Sequence, residues 1–313
     1  MSHEIRRILR AFASQPWFID PREAEKICAL LEWRAMHGPR ATPYRAAPAE
    51  RPPARDRKSN IVVLNMQGPI VPRVSPDDVS NPGMSLERFA VAFDQAAADS
   101  DVGAIVINID SPGGTVDLVP ETAAKIRGAS DPSRPIIAVA NTMAASAAYW
   151  LGSAADELVV TESGEVGSIG VWTMHEDISA ALEAEGVRVT LISQGARKTE
   201  GHPFGPLGDE AARHLQSTTK HYYDLFVQDV AAFRDVDESV VRGDPETAAK
   251  HFGGGRTYPA RIAVKLGMAD KVESLDAVLQ SLKDGRRPIR NRRGEHSGSR
   301  GAHQMLRRRL AMV

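Results

Sequence analysis

The chain of 313 residues contains one cysteine, carries a formal net charge of −1 and has no apolar run approaching a membrane span. Each absence removes a class of function. A single thiol excludes an intramolecular disulfide framework and any cysteine-cluster metal site, which fits a reducing compartment. Cys28 lies in the apolar helical run 24–31, so it reads as a buried core residue rather than a nucleophile. A spanning helix needs ~20 consecutive apolar residues, and none is expected here. Near-zero net charge gives no overall pull toward nucleic acid or a membrane surface. The nine histidines are scattered without HExxH-like or paired spacing, so no metal is expected. Gly113-Gly114 is not followed by the Gly-Lys-Ser/Thr of a phosphate loop, and no cofactor is expected. Arg6, Arg7 and Arg10 precede no apolar stretch with a small-residue cleavage site, which makes a secretory signal unexpected and a cytoplasmic location the expectation.

What is present is enough for an ordinary globular core, since 42% of residues are hydrophobic and 25% charged. Residues 1–37 read as a helical extension: Ile5, Ile8, Leu9 and Phe12 recur at helical spacing, and Asp20-Pro21 looks like an N-cap with proline at the first helical position. Residues 38–59 hold five prolines among Arg and Ala and read as an extended, solvated linker. From Asn60 buried strand and helix signals alternate. Strands are expected near 61–66, 103–110, 135–141, 157–161, 167–172 and 187–193, and helices near 85–99, 118–127, from 144, 177–185, 209–234 and 275–282. Such alternation implies an α/β fold with a parallel sheet covered on its faces. Residues 60–283 form this expected domain, and 284–313, rich in arginine with Gly, Ser and His, read as a disordered basic tail. The tail could touch phosphates weakly, but no specific nucleic-acid partner is expected.

Within this frame one hydroxyl stands out. Ser146 sits among alanines where the strand ending near Asn141 should turn into a helix. A serine attacks only if a base takes its proton and dipoles receive the oxyanion. The N–H of Ala147, beside it at the helix start, is one candidate donor. Gly113, after the strand ending at Asp110, is a second, because a residue without Cβ lets a substrate approach the backbone. Both points fall at carboxyl ends of strands in a parallel sheet. For the base, Lys198 lies in the loop 194–201, while His175, Asp177 and His202 keep a Ser-His-Asp arrangement open; spacing alone does not decide.

Ser111-Pro112-Gly113-Gly114, the Met143-Ala144-Ala145-Ser146 segment with Tyr149, the run 164–171 (GEVGSIGV) and Lys198 resemble, in order and spacing, the signal peptide peptidase A (protease IV) family of serine peptidases. The resemblance spans about residues 60–282. It implies a ClpP/crotonase-like fold of repeated ββα units that assembles into homo-oligomers. It also implies Ser146 as nucleophile, Lys198 as general base, Gly113 and Ala147 as the oxyanion hole, and Ser168 as the hydroxyl that orients the lysine. Gly114, Gly167, Ile169 and Gly170 would contact a polypeptide substrate. One departure is visible: many members have glycines after the nucleophile, where this chain has Ala147 and Ala148.

The stretch 12–17 (FASQPW), with the helical segment and linker after it, resembles the opening of phage and prophage capsid-maturation members of the family. The expectation is a Ser-Lys endopeptidase that processes scaffold or capsid proteins, located in the cytoplasm or an assembling procapsid. A host cytosolic peptidase, acyl-CoA chemistry on a crotonase-type fold and a non-catalytic capsid scaffold or adaptor are the alternatives.

Overall fold

The computed structural model describes residues 17–19, 54–56, 60–74 and 83–287. Its centre is a mostly parallel sheet. Strands β3 (Ile61–Gln67), β6 (Ala104–Ser111) and β8 (Ile136–Ala145) lie side by side in parallel. Beyond β8 come β9 (Glu157–Val160) along its first half and β10 (Glu165–Gly167) along its last three residues, both parallel to it. Antiparallel strands β2 (Ala54–Asp56) on β3 and β11 (Thr257–Pro259) on β10 end this path, and β12 (Lys271–Val272) runs parallel to β9. A second, smaller sheet has the order β1-β7-β4-β5, with β1 (Trp17–Ile19), β4 (Ile70–Val71), β5 (Met84–Ser85) and β7 (Gly113–Thr115).

Uninterrupted apolar runs explain the central strands: Ile105, Val106, Ile107 and Ile109 are inaccessible to solvent, as a strand covered on both faces requires. The main core lies between the sheet and helices α1 (Leu86–Ala98), α2 (Val119–Gly128), α3 (Ala147–Ser153) and α5 (Asp209–Arg234). The opposite face, with Ile61, Val106, Ile137, Val139 and Val159, is closed by Val278 of α8 (Leu275–Lys283). Helices α4 (Ser179–Ala184), α6 (Glu238–Arg242) and α7 (Ala260–Leu266) complete the helices of the described residues. The expected α/β class with a mostly parallel sheet is present.

Several local expectations are corrected. Residues 187–193 form no strand: their apolar–polar alternation finds no neighbouring edge to bond with, and Val187, Val189, Leu191 and Ile192 are exposed. Strand β8 continues to Ala145 instead of giving way to helix near Ala144, because its last three residues are held by β10. The strand expected over 167–172 is the earlier β10, which stops where Ser168 takes a positive φ of 56°. In the nominally helical extension, 17–19 pair as β1, and in the nominal linker, 54–56 pair as β2. The two N-terminal helices themselves lie outside the described residues. At the other end the side chain of Arg287, assigned to the tail, is buried: its guanidinium meets Glu157 at 2.8 Å and Glu273 at 3.0 Å, both of them carboxylates that neutralise it.

Candidate active site

Ser146 stands at the junction of β8 and α3 with φ 54° and ψ −118°, a backbone conformation that L-residues occupy only when their surroundings impose it. Two hydrogen bonds impose it here. Its N–H donates to the Gly167 carbonyl at 2.7 Å, and its own carbonyl accepts from Trp150 N–H at 3.0 Å as the first bond of α3. The hydroxyl caps nothing, although serine at an N-cap ordinarily bonds the helix backbone. The residue is 1% exposed. Ala147 is the first residue of α3, so its N–H has no acceptor within the helix.

The helix behind Ser146 is fixed by side chains that the sequence marked only as apolar. Trp150 stacks on Phe226 with ring centroids 4.6 Å apart and donates Nε1–H to Asp229 at 3.1 Å. Tyr149 donates its hydroxyl to the Met268 carbonyl at 3.0 Å. Beneath them Arg234 and Asp270 form a buried two-bonded pair (2.9 and 3.0 Å), and Asp270 also accepts from Leu158 N–H. Burial opposes the charge on Arg234, but the charge and hydrogen bonds of Asp270 outweigh it and hold the guanidinium's pKa above its ordinary value.

Ser168 lies beside Ser146, since Gly167 pairs with Ala145 across β10 and β8. It too has a positive φ, its N–H donates to the Arg256 carbonyl at 2.8 Å, and it is buried. Gly167 has φ 127°, and a Cβ there would lie 2.6 Å from the same carbonyl. Ile169 is buried, whereas Gly170 is partly open. Gly113 is buried with φ 98°, and its N–H donates to Ser111 Oγ at 3.2 Å, which in turn donates to the Gly68 carbonyl at 2.7 Å. Ser111 therefore holds the N–H expected to face an oxyanion, a role sequence reasoning missed. Gly114 is required by packing: an added Cβ would sit 1.8 Å from the Ile70 carbonyl oxygen. Strand β7, carrying both glycines, packs against α3.

The remaining candidates are not gathered here. Lys198 is exposed in the excursion 172–208, and its ammonium makes no hydrogen bond or ion pair with a described residue. Among the described residues no hydrogen bond joins it to Ser146 or Ser168. His175 Nε2 lies 3.1 Å from the His202 carbonyl, while Asp177 accepts from the hydroxyl and N–H of Ser179, which lowers its pKa. Among the described residues neither histidine is hydrogen-bonded to Ser146. A cavity of about 450 Å³ opens at the carboxyl ends of the strands, lined by Gly68, Asp110, Thr142, Met143 and Glu165 among others, but Ser146 is not part of its wall. Among the described residues no group of three His, Cys, Asp or Glu side chains could hold a metal, and no helix is long and apolar enough to cross a membrane.

A sequence model of peptidase family S49 matches residues 129–287, a stretch that includes Ser146, Ser168 and Lys198. The chain belongs to peptidase family S49. Among curated relatives of this S49 chain, capsid assembly protease C of Escherichia phage lambda is 34% identical over 221 residues, covering 70% of this chain and 48% of the phage protein. Head-tail preconnector protein GP5 of Enterobacteria phage P21 is 30% identical, covering 70% and 42%. A putative signal peptide peptidase SppA of Enterococcus faecium is 27% identical, covering 71% and 62%. The S49 chain thus spans about half the length of these curated relatives. Among solved structures, a mutant of ClpP1 from Listeria monocytogenes overlaps 71% of this chain and 96% of its own with a TM-score of 0.43 and 11% identity, too distant to add to the family assignment.

Proposed function

We propose that this S49 chain is a serine endopeptidase in which Ser146 attacks the peptide carbonyl and Lys198 is the base. The observation that carries the reading is the backbone of Ser146. It is bent into a conformation that costs roughly 1–3 kcal/mol, and its hydroxyl is left out of every capping bond. Strain of that size, with a buried hydroxyl beside a free helix N–H, fits a positioned nucleophile better than a packing serine.

In the reaction Lys198, as the free amine, takes the proton of Ser146 Oγ while the Oγ–C bond forms. The carbonyl oxygen gains the negative charge, which the N–H of Ala147 receives, with that of Gly113 once it is released from Ser111. The C–N bond then breaks, and the lysine returns its proton to the departing amine. Water, deprotonated by Lys198, then attacks the acyl ester, and the lysine gives that proton to Ser146 Oγ as the acyl C–O bond breaks. A lysine base works only uncharged, which burial away from carboxylates favours.

Lys198 is delivered by assembly in this reading. It is exposed in the single chain and follows the uncovered residues Val187, Val189, Leu191 and Ile192, so a second copy covering that segment would both bury the amine and bring a lysine to each serine. The physiological substrate is a head protein of a phage or prophage, a reading supported by the phage relatives named above. The similarity to a signal peptide peptidase supports a second reading, in which signal peptides are the substrate.

The test is cleavage of an unfolded polypeptide by the parent, Ser146→Ala, Lys198→Ala and a mixture of the two variants. The parent should cleave, each variant alone should be reduced by about a thousandfold or more, the scale of losing a nucleophile or its base, and the mixture should regain part of the activity. Equal cleavage by all forms refutes the chemistry, and a silent mixture refutes the sharing of sites between copies. Co-expression with capsid and scaffold proteins, against a signal-peptide substrate, separates the two substrate readings.

A further inference from the structure

Strand β7 has two edges. One is bonded to β4 through Ile70 and Gly114; the other is occupied by β1, with Ile19 opposite Gly113, Phe18 opposite Gly114 and Trp17 opposite Thr115. The second edge belongs to the strand that packs on α3, the helix Ser146 initiates. An extended polypeptide binds a protein most simply by adding a strand to such an edge, its main chain supplying the bonds and its side chains the selectivity. In this fold the chain's own residues 17–19 already fill that place.

The direction of the added strand matters. β1 runs antiparallel to β7, so the main chain travels from Thr115 toward Gly113, and the peptide bond that follows Ile19 arrives at the glycine whose N–H is the candidate oxyanion donor. The sequence there is Trp17-Phe18-Ile19-Asp20-Pro21, three large apolar residues and then an acid. The same geometry explains why the segment can rest there uncut. Gly113 N–H is turned back onto Ser111 Oγ, and Lys198 is exposed whereas Ser146 is buried.

We propose that Trp17–Ile19 is a substrate-like strand that occupies the peptide-binding edge of β7 and holds the site closed until a substrate displaces it. The inference rests on the peptidase reading above and deepens it. The occupant names the substrate class: an extended segment with large apolar residues immediately before the bond to be cut. Because residues 20–53 link the strand covalently to β2, even a weak intrinsic affinity gives high occupancy, a linked segment acting at an effective concentration on the order of millimolar. Occupancy of about nine molecules in ten raises the apparent KM for an external peptide about tenfold and leaves kcat alone.

The experiment uses the full chain and a variant carrying Trp17→Gly, Phe18→Pro and Ile19→Gly, which cannot form the strand. The probe is a synthetic peptide of residues 14–21 (SQPWFIDP). Removing the strand should lower KM for an unrelated apolar peptide about tenfold at unchanged kcat, and should speed hydrogen exchange of the β7 amides about tenfold. Added SQPWFIDP should compete with substrate and slow that exchange again. Unchanged KM and exchange, or a peptide that neither competes nor protects, overturns the proposal; so does a fall in kcat at constant KM, which would make β1 a structural strand. The peptide arm can be run on the parent chain, so the outcome does not depend on the variant folding. If no form cleaves anything, the peptidase reading fails, while amide exchange still decides whether the segment occupies the edge.

Discussion

Replacing Gly114 by alanine tests whether β7 is as tightly held as its neighbours imply. The added Cβ would lie 1.8 Å from the Ile70 carbonyl oxygen, 2.5 Å from its carbonyl carbon and 2.6 Å from its nitrogen. All three are backbone atoms, so no side-chain rotation relieves the clash. Restoring ordinary contact distances requires β4 and β7 to part by roughly 1.5–2 Å. That separation breaks the pairing of Ile70 with Gly114 and opens a gap beside Ile70, which is fully buried. Overpacking of this kind costs about 1–3 kcal/mol. A buried backbone hydrogen bond left unmade adds about 1 kcal/mol or more. A total near ~3 kcal/mol lowers Tm by about 6–12 °C for a domain of this size. Thermal melting followed by circular dichroism reads the shift, and the rate at which a fluorophosphonate labels Ser146 reads the displacement of β7 from α3. Gly170→Ala is the control, because a Cβ there meets only Gly255 Cα at 3.9 Å, and it should change stability by under about 0.5 kcal/mol. A Gly114→Ala chain that melts within about 2 °C of the parent and is labelled at the parental rate would refute the reasoning.

Other expectations follow from the same geometry. Ser146→Gly should abolish labelling yet raise stability by about 1 kcal/mol or more, since glycine accepts φ 54° without strain; calorimetry checks the sign. Asp270→Ala should cost about 3–5 kcal/mol by stranding the Arg234 guanidinium, whereas Arg234→Met with Asp270→Leu should recover much of the loss, as denaturant unfolding would show. Asp229→Ala leaves Trp150 Nε1–H buried without that acceptor and should cost about 1–3 kcal/mol, with slower labelling of Ser146 as α3 loosens. Ile192 is 95% exposed, so Ile192→Asp should leave the fold's stability within about 0.5 kcal/mol while reducing both particle size in light scattering and peptide cleavage.

The long amphipathic helix over 209–234 was legible from its repeat alone, and α1, α2 and α8 fall within a residue or so of expectation. The parallel strands β3 and β6 were legible because they are apolar on both faces. The junction at Ser146 was legible as a place but not as a shape. The alanines around it suit strand and helix equally, and the choice falls to β10, which comes from residues some twenty positions further on. The excursion 187–193 shows the converse failure, since alternation specifies a strand only if an edge is there to receive it. Ser111 and the Arg256 carbonyl were invisible as site elements because their part is played through a turn and a backbone oxygen, neither of which leaves a pattern in residue types. Strand β1 was missed for a related reason: three residues carry no periodicity, and only pairing defines them.

The buried guanidinium of Arg287 has a consequence for whatever is attached beyond it. It grips Glu157, which opens β9 level with Ile137 near the start of β8, whereas Ser146 follows the last residue of β8. Nine residues separate Ile137 from Ser146, two of them taken up by the bulge between Ala140 and Ala144, so at about 3.3 Å per residue the two levels lie roughly 23 Å apart. Arg287 therefore stands toward the end of β8 away from Ser146, so the chain that continues past it sets out from the side of the sheet remote from the serine proposed to react.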